Sequence, residues 1–220
     1  MRTIFQNKLQ LWSGIALLLL LPAFLSAQQA DTLRVLFVGN SFTYFWNLPQ
    51  VVQAMAKSQG RVVLTRQSTA GGASLEQHWK GEKGLKTIAL IEAGGWDYVV
   101  LQDHSLRPID APENFMEYGR KFGELARSKG AEPLYFGTWA YKSNPMMQAA
   151  LTAGYAKLAE EMKAELLQVG SLWASVRQQR PDLELFFDDK HPTPVGTYLI
   201  GLAFFKKLTG LPVSKIEDRL

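Results

Sequence analysis

The sequence contains no cysteine and only three histidines. A chain without cysteine forms no disulfide, so its fold does not depend on the redox state of its compartment. No lipid can be attached through a cysteine either. The formal net charge is only +4, and lysine and arginine form no continuous block. This charge distribution gives no support for a nucleic-acid-binding surface, so we expect no nucleic-acid partner.

The sequence also lacks an apolar run long enough to cross a membrane. The apolar segment 11–21 has 11 residues, including Ser13 and Gly14, whereas a membrane-spanning helix needs about 20. The run follows Arg2 and Lys8 and precedes small residues, an order that is typical of a secretory signal peptide. We therefore predict a signal peptide over 1–27, with an uncleaved membrane anchor as the alternative. Cleavage would leave one exported domain, 28–220, in the periplasm or outside the cell and not attached to a membrane.

Short apolar runs alternate with amphipathic segments along this domain. The predicted strands are 34–38, 61–65, 97–101, 133–138 and 166–169. The predicted helices include 113–127, 145–165 and 194–209, the last of which ends at Gly210. Alternation of strands and helices predicts an α/β fold with a parallel sheet covered by helices on both faces. Such sheets bind their ligands at the carboxyl ends of the strands.

Hydrogen-bonding residues and glycines follow the ends of the predicted strands. They are Asn40 and Ser41 after the first strand, Gly71 and Gly72 after the second, Gln102 and His104 after the third, Trp139 after the fourth, and Asp188 and His191 before the last helix. A purely structural sheet needs turn residues at these places, but not a serine, paired glycines and an acid–histidine pair together. We therefore expect the functional site at this edge of the sheet.

Ser41, His191 and Asp188 fit one catalytic mechanism. A serine hydroxyl becomes an effective nucleophile when a base takes its proton. Histidine is the usual base, and a carboxylate holds its tautomer and stabilises the imidazolium. Asp188 and His191 are three residues apart, so one tight turn can bring the carboxylate to the ring. Ser41 is the predicted nucleophile, His191 the predicted base and Asp188 the predicted acid, with Asp189 as the alternative acid.

The same mechanism needs N–H donors for the oxyanion that forms on attack. Gly39 leaves room for a sharp turn before Ser41, which can then begin a helix with its own N–H unpaired. That N–H, an N–H of Gly71 or Gly72, and a side-chain amide are the predicted oxyanion donors. An ordinary helix-capping role for Ser41 is the alternative interpretation.

Two segments resemble one family. "VGNSFT" looks like the first block of the SGNH (GDSL-like) hydrolases, and "DDKHPTPVGTYL" resembles their last block, in which D-x-x-H carries the acid and the base. "AGGASL" falls where their oxyanion-hole glycine lies. The resemblance extends over nearly the whole domain. It implies a flavodoxin-like, three-layer α/β/α sandwich with a mainly parallel five-stranded sheet, and ester hydrolysis without a metal or other cofactor.

The third block departs from that family. It is usually G-x-N-D, with the asparagine donating to the oxyanion, but the third strand here ends in "VVLQDHS". Gln102 is the nearest amide and is the predicted replacement. Four residues are weaker predictions for the substrate pocket, each with a structural role as the alternative: Asn40, His78, His104 and Trp139. No spacing such as H-E-x-x-H supports a metal site.

The sequence thus predicts a secreted serine esterase, and the preferred substrate is a small acyl group, such as acetyl, on a carbohydrate. Lipid esters or thioesters are alternatives, and an acyltransferase would use the same residues. The departure in the third block motivates a second hypothesis, a catalytically impaired glycan-binding module. A nucleotide-binding role is disfavoured because the first loop has neither G-x-G-x-x-G nor G-x-x-x-x-G-K.

Overall fold

The structure is a computed structural model that describes residues 32–216. The predicted signal peptide, 1–27, lies outside the described residues. Within residues 32–216, none of the helices has the length and apolar character that crossing a bilayer requires.

Five parallel strands form one sheet, in the order β2-β1-β3-β4-β5. They are β1 (Leu33–Gly39), β2 (Val63–Thr69), β3 (Tyr98–Leu101), β4 (Glu132–Gly137) and β5 (Glu165–Gln168). This order is that of flavodoxin-like sheets, whose ligands bind where neighbouring connections leave in opposite directions. The predicted α/β class and parallel five-stranded sheet are confirmed.

Nine α-helices cover the sheet in the described part of the chain. They are α1 (Ser41–Tyr44), α2 (Leu48–Ser58), α3 (Leu75–Lys80), α4 (Thr87–Glu92), α5 (Arg107–Asp110), α6 (Pro112–Ser128), α7 (Gln148–Met162), α8 (Val169–Gln179) and α9 (Pro194–Thr209). Short 3₁₀ turns lie at Phe45–Asn47, Glu82–Gly84, Pro145–Met147 and Val213–Lys215.

The alternating side chains of β1 show why the fold has three layers. Val35 and Phe37 belong to one apolar cluster, with α2 and α9, whereas Leu36 and Val38 belong to a second cluster, with α6 and α7. Successive strand residues point to opposite faces, so a strand that is apolar throughout must be covered on both sides. All four of these side chains are fully buried.

Two predicted elements differ from the structure by more than one residue at a boundary. The sequence predicts the second strand at 61–65, but it runs over 63–69, because the polar second half of this edge strand does not form an apolar run. The helix expected at 145–165 begins as a 3₁₀ turn and ends at Met162, because Lys163 takes a left-handed conformation (φ 48°) that breaks it. The last helix matches the prediction, with Thr193 capping its start.

Candidate active site

The loop after β1 places Ser41 at the carboxyl edge of the sheet, at the first position of α1. A glycine precedes it because space is short: a Cβ at Gly39 would lie 2.4 Å from Gln102 Oε1 and 2.4 Å from Thr43 Oγ1. Asn40 caps the helix, since its Oδ1 accepts a hydrogen bond of 3.1 Å from the N–H of Phe42. The cap is therefore Asn40, and the hydroxyl of Ser41 is left for another partner.

That partner is His191. Ser41 Oγ lies 2.9 Å from His191 Nε2, although the two residues are 150 positions apart in the chain. On the other side of the ring, His191 Nδ1 lies 2.7 Å from Asp188 Oδ2. The three side chains thus form a continuous hydrogen-bonded row, the geometry in which a histidine can take a proton from a serine hydroxyl.

The local fold of the last loop holds Asp188 in this row. Its Oδ1 accepts hydrogen bonds from the backbone N–H groups of Lys190 (2.8 Å) and His191 (2.7 Å), so Oδ2 is directed to the imidazole. Partial burial raises the pKa of Asp188, but the hydrogen bonds from the His191 side chain and from the two N–H groups outweigh it and lower the pKa to about 2. The carboxylate is therefore ionised throughout the neutral range.

Asp189, the alternative acid, faces a different loop. Its carboxylate accepts hydrogen bonds from Ser143 N (2.7 Å) and Ser143 Oγ (2.8 Å), and its backbone carbonyl accepts one from Lys142 N. It is thus an anchor between the loop after β4 and the loop before α9. The structure pairs His191 with Asp188, not with Asp189.

Aromatic rings hold the imidazole of His191 in place. Phe45 stacks on it with a centroid distance of 4.4 Å and an interplanar angle of 7°, and Phe42 meets it edge-on at 5.9 Å. The His191 side chain is only 17% exposed. Sequence reasoning missed Phe45, although the aromatic run Tyr44–Trp46 directly after the first block was a visible signal.

Unpaired backbone N–H groups lie in the loops that follow β1 and β2. In the hydrogen bonds of the described residues, the backbone N–H groups of Ser41, Gly71 and Gly72 have no acceptor. Both glycines are exposed, and Gly72 has a φ of +60°. Lys83 Nζ donates to the carbonyl of Gly71 (2.7 Å), and Asn40 Nδ2 donates to the carbonyl of Ala73 (2.9 Å), so the glycine turn is fixed at both ends.

Gln102 does not contribute an oxyanion donor, which corrects the prediction. Its side chain is fully buried, with Oε1 accepting from Asn40 N and from Thr43 Oγ1, both at 2.9 Å, and with Nε2 donating to the carbonyl of Asp103. The N–H of Gln102 still pairs with Val38 O. The residue thus continues the β3 ladder, and its side chain fills the space that Gly39 leaves instead of pointing outward.

Asn40 is likewise a brace and not a pocket residue. It is 3% exposed, and its amide nitrogen is occupied by the carbonyls of Ala73 (2.9 Å) and Asp103 (3.4 Å). It therefore ties the serine loop to the two neighbouring loops.

His78 lies beneath the site and not in it. It is 1% exposed, with Nε2 2.9 Å from the carbonyl of Gly39 and Nδ1 2.6 Å from Thr87 Oγ1. A carbonyl can only accept, so the proton is on Nε2 and Nδ1 accepts from the threonine. Burial lowers the pKa of His78 to about 4, so the ring stays neutral. Leu75 and His78 are three apart on α3 and both buried, a helical spacing that indicates an inward-facing histidine.

Trp139 is also buried completely, contrary to the prediction of a pocket residue. Its ring is stacked between Phe42 (4.5 Å) and Trp173 (4.4 Å), and its Nε1 donates to the carbonyl of Lys190 at 2.9 Å. No face of the ring is free for a substrate. The indole instead holds the last loop against α1, which carries the serine.

His104, a weaker prediction for the pocket, lines a cleft together with the glycine turn. The cleft has a volume of about 310 Å³, and its other walls are Gly72, Ser74, Gln77, Arg107 and Asp110. His104 Nδ1 accepts a long hydrogen bond of 3.5 Å from Leu106 N, so a neutral ring carries its proton on Nε2. Burial, and then the nearby Arg107 and Lys190, lower the pKa of His104. The ring is therefore a neutral N–H donor at neutral pH.

Asp103 was missed as a site residue, although it follows directly after the third strand. It is fully buried, and its Oδ1 accepts from the N–H groups of Leu75 (2.9 Å) and His104 (2.6 Å). Burial raises its pKa to about 6, against the lowering effect of these two hydrogen bonds. The carboxyl group thus joins the glycine loop to the loop that carries His104. Among residues 32–216, no group of three or more histidine, aspartate or glutamate side chains is arranged to hold a metal ion.

Solved structures share this architecture. A protein from Slackia heliotrinireducens described as a candidate SGNH hydrolase is 25% identical, with a TM-score of 0.68 over 81% of this chain and 100% of its own. A DUF4886 family protein from Bacteroides uniformis is 20% identical, with a TM-score of 0.72 over 86% of this chain and 88% of its own. A mutant of Axe2, an acetyl-xylooligosaccharide esterase from Geobacillus, is 14% identical, with a TM-score of 0.63 over 84% and 97%.

Comparison by sequence adds no further relative, because no protein-family model and no curated protein matches the chain. The structural neighbours confirm the resemblance inferred from the first and last blocks. The chain has the three-layer fold of the SGNH (GDSL-like) hydrolases and is similar to solved members of that family.

Proposed function

We propose that the protein is a serine esterase that hydrolyses carboxylic esters through Ser41, His191 and Asp188. The observation that carries the proposal is the hydrogen-bonded row of these three side chains at the carboxyl edge of the sheet. In this row Asp188 accepts the Nδ1 proton of a neutral His191, which leaves Nε2 free to accept the proton of the serine hydroxyl.

The reaction proceeds in two halves. Ser41 Oγ attacks the ester carbonyl carbon while its proton passes to His191 Nε2. The attack converts the carbonyl into a tetrahedral oxyanion. The oxyanion collapses, the bond to the alcohol oxygen breaks, and the imidazolium protonates the leaving alcohol. Water then attacks the acyl-serine and gives a proton to the same Nε2. The bond between the acyl carbon and Ser41 Oγ breaks, the imidazolium returns the proton to Oγ, and the carboxylic acid is released. Asp188 stays ionised and stabilises the imidazolium in both halves.

The oxyanion is held by the unpaired donors beside the serine. We assign this role to the N–H groups of Ser41 and of the Gly71–Gly72 turn, with His104 Nε2–H as the side-chain donor in place of the family's asparagine. His104 shares the cleft wall with Gly72, and Asn40 donates to the carbonyls of both loops, 73 and 103. Each well-placed donor contributes about 10²–10³ in rate.

The proposed substrate is a small acyl group, such as acetyl, on a carbohydrate. The similar fold of an acetyl-xylooligosaccharide esterase supports this choice, as does the polar lining of the cleft that Gly72, His104 and Arg107 share. Hydrolysis of lipid esters or thioesters, and transfer of the acyl group to an alcohol instead of water, would use the same three residues. These reactions differ in the substrate groups that bind outside the row. With the predicted signal peptide, the activity would act on material outside the cytoplasm.

The test is release of p-nitrophenol from p-nitrophenyl acetate. We expect the wild type to turn over and Ser41→Ala and His191→Ala each to lose at least about 10³-fold in kcat/KM. Ser128→Ala is the matched control, because this exposed serine only bonds the carbonyl of Leu125 on α6. A folded wild type that is no faster than Ser41→Ala would contradict the esterase.

That negative result would favour the second candidate, a glycan-binding module that keeps the fold without the chemistry. The observation behind it is the third block, whose Gln102 is buried and unavailable to an oxyanion. Binding of an oligosaccharide by the wild type and by Ser41→Ala with equal affinity, without turnover, would support it.

A further inference from the structure

Three aromatic side chains form a surface next to the imidazole of His191. Phe45 is half-buried, Trp46 is 46% exposed and Phe187 is 63% exposed. We call these three residues the aromatic platform. Large aromatic rings normally bury most of their surface, and adjoining exposed rings mark a binding surface more often than scattered ones do.

The platform is fixed in position by the residues of the last loop. Trp46 Nε1 donates to the carbonyl of Pro192 at 2.8 Å, and the N–H of Phe187 donates to the carbonyl of His191 at 2.8 Å. The two outer rings meet edge to face, with centroids 6.2 Å apart. Phe45 stacks on the imidazole itself. The platform and the base therefore form one rigid unit.

The backbone at the platform is held in an unfavourable conformation. Trp46 (φ 50°, ψ 30°) and Asn47 (φ 56°, ψ 44°) are both left-handed. A tryptophan rarely adopts this region, because its Cβ clashes with the backbone. Folding gains little in return, since the indole that it positions remains nearly half exposed. Strain of this kind, adjacent to a reacting group, indicates a role in binding.

We propose that the aromatic platform binds a pyranose ring of the substrate beside the ester that Ser41 attacks. This inference rests on the proposed function and adds the surface that binds the sugar. The occupant must be part of the substrate, because the platform is continuous with the imidazole that protonates the leaving group.

The surroundings of the platform favour a sugar over an acyl chain. A pyranose has an apolar face of C–H groups, which packs on aromatic rings, and an edge of hydroxyl groups, which needs hydrogen-bonding partners. Polar groups flank the rings here: Asn47 is exposed directly after Trp46, and the carboxylate side chain of Asp188, next to Phe187, is 46% exposed. A site for a long acyl chain would need an apolar rim instead.

The first experiment measures binding without catalysis. Acetylated xylotetraose is titrated into the Ser41→Ala protein by calorimetry, alone and combined with Phe187→Ala, Trp46→Ala or Phe187→Tyr. Removing either ring is expected to weaken binding roughly five- to tenfold, whereas Phe187→Tyr keeps the ring and the affinity. The matched control is Leu64→Ala, an exposed apolar residue near the amino end of β2, which should change nothing.

The second experiment compares two acetates that differ only in the alcohol, acetylated xylotetraose and the acyclic glycerol triacetate. For Phe187→Ala and Trp46→Ala, the ratio of kcat/KM for the sugar ester to that for the acyclic ester should fall roughly five- to tenfold. If the ratio and the affinity for acetylated xylotetraose are both unchanged in the two ring variants, the proposed role of the platform is wrong. The esterase proposal still holds in that case, provided that Ser41→Ala abolishes turnover.

Two further outcomes are decisive. Loss of affinity in the ring variants without any turnover by the wild type would support the platform and contradict the esterase. The second is a preference of the wild type for p-nitrophenyl decanoate over p-nitrophenyl acetate that the ring variants lose, with no change in their activity on the sugar ester. This result would show that the platform binds a long acyl chain and not a pyranose.

Discussion

Replacement of Asp188 by asparagine tests the proposed mechanism most directly, because the structure fixes how the new side chain must sit. Two backbone N–H groups, those of Lys190 and His191, donate to Oδ1 at 2.8 and 2.7 Å. The asparagine oxygen will take that place, since an amide nitrogen cannot accept from them. The amide NH₂ then faces His191 Nδ1, which must become an acceptor and move the ring proton to Nε2.

This tautomer removes the base. Nε2 lies 2.9 Å from Ser41 Oγ, and once it carries a proton it can no longer accept that of the hydroxyl. We expect kcat on p-nitrophenyl acetate to fall about 10³–10⁴-fold, the cost of the wrong tautomer in a serine–histidine–aspartate row, with the fold intact. Packing around the ring does not depend on the substitution, because Phe45 and Phe42 hold it from other directions.

Asp189→Asn is the matched control. It makes the same chemical change one residue away, at a carboxylate that binds only Ser143, and activity should stay within a few-fold of the wild type. Urea unfolding of both variants separates loss of activity from loss of structure. The reasoning is refuted if a folded Asp188→Asn keeps activity within tenfold, or if Asp189→Asn is the more damaging change.

Three other predictions concern the groups around the row. Gly39→Ala should destabilise the protein by about 1–3 kcal/mol in urea unfolding, because the new Cβ would lie 2.4 Å from Gln102 Oε1. His104→Ala should lower kcat about 10²-fold or more with little change in KM, and His104→Gln, which keeps a donor, should recover part of the loss; equal effects on kcat and KM would contradict a donor role. Burial lowers the pKa of His78 to about 4, so its contribution to stability is complete above pH 6.5 and is lost as the pH falls towards 4. Burial raises the pKa of Asp103 to about 6, so its contribution has the opposite sign and falls as the pH rises from about 4 to 6. The two partly cancel in the wild type, and the urea midpoint of Asp103→Asn should therefore drop more steeply on acidification from pH 6.5 to 4 than that of the wild type.

Much of the fold follows from the sequence because buried parallel strands read as short apolar runs. Leu33–Gly39 and Tyr98–Leu101 were both recognisable in this way. The site followed by the same logic, since the carboxyl ends of parallel strands share one edge. That rule predicted that Ser41 and His191 would meet although they are 150 residues apart, and Ser41 Oγ does lie 2.9 Å from His191 Nε2.

The errors came from side-chain direction, which the strand-end rule does not specify. Gln102 and Trp139 both lie just beyond a strand, as predicted, but the first continues the sheet ladder and the second turns inward between two rings. The direction of Gln102 follows from its backbone pairing with β1, and that of Trp139 from its stacking between Phe42 and Trp173. Both are tertiary contacts, which leave no pattern in the local sequence.

The departure in the third block can now be given a physical interpretation. Gly39 and Gln102 depend on each other. The side-chain amide of Gln102 fills the space that a Cβ at residue 39 would need, and its Oε1 accepts hydrogen bonds from Asn40 N and Thr43 Oγ1. The amide thus supports the loop that carries Ser41, which is a structural role. The oxyanion donor need not have been lost with it, since His104, two residues further, carries an N–H and lines a cleft together with Gly72. A third block in which His104 is the oxyanion donor, and in which Gln102 supports the serine loop at the position usual for the donor, remains compatible with catalysis. The altered block is therefore compatible with an active enzyme as well as with a binding module, and the kcat of His104→Ala decides whether the donor was moved or lost.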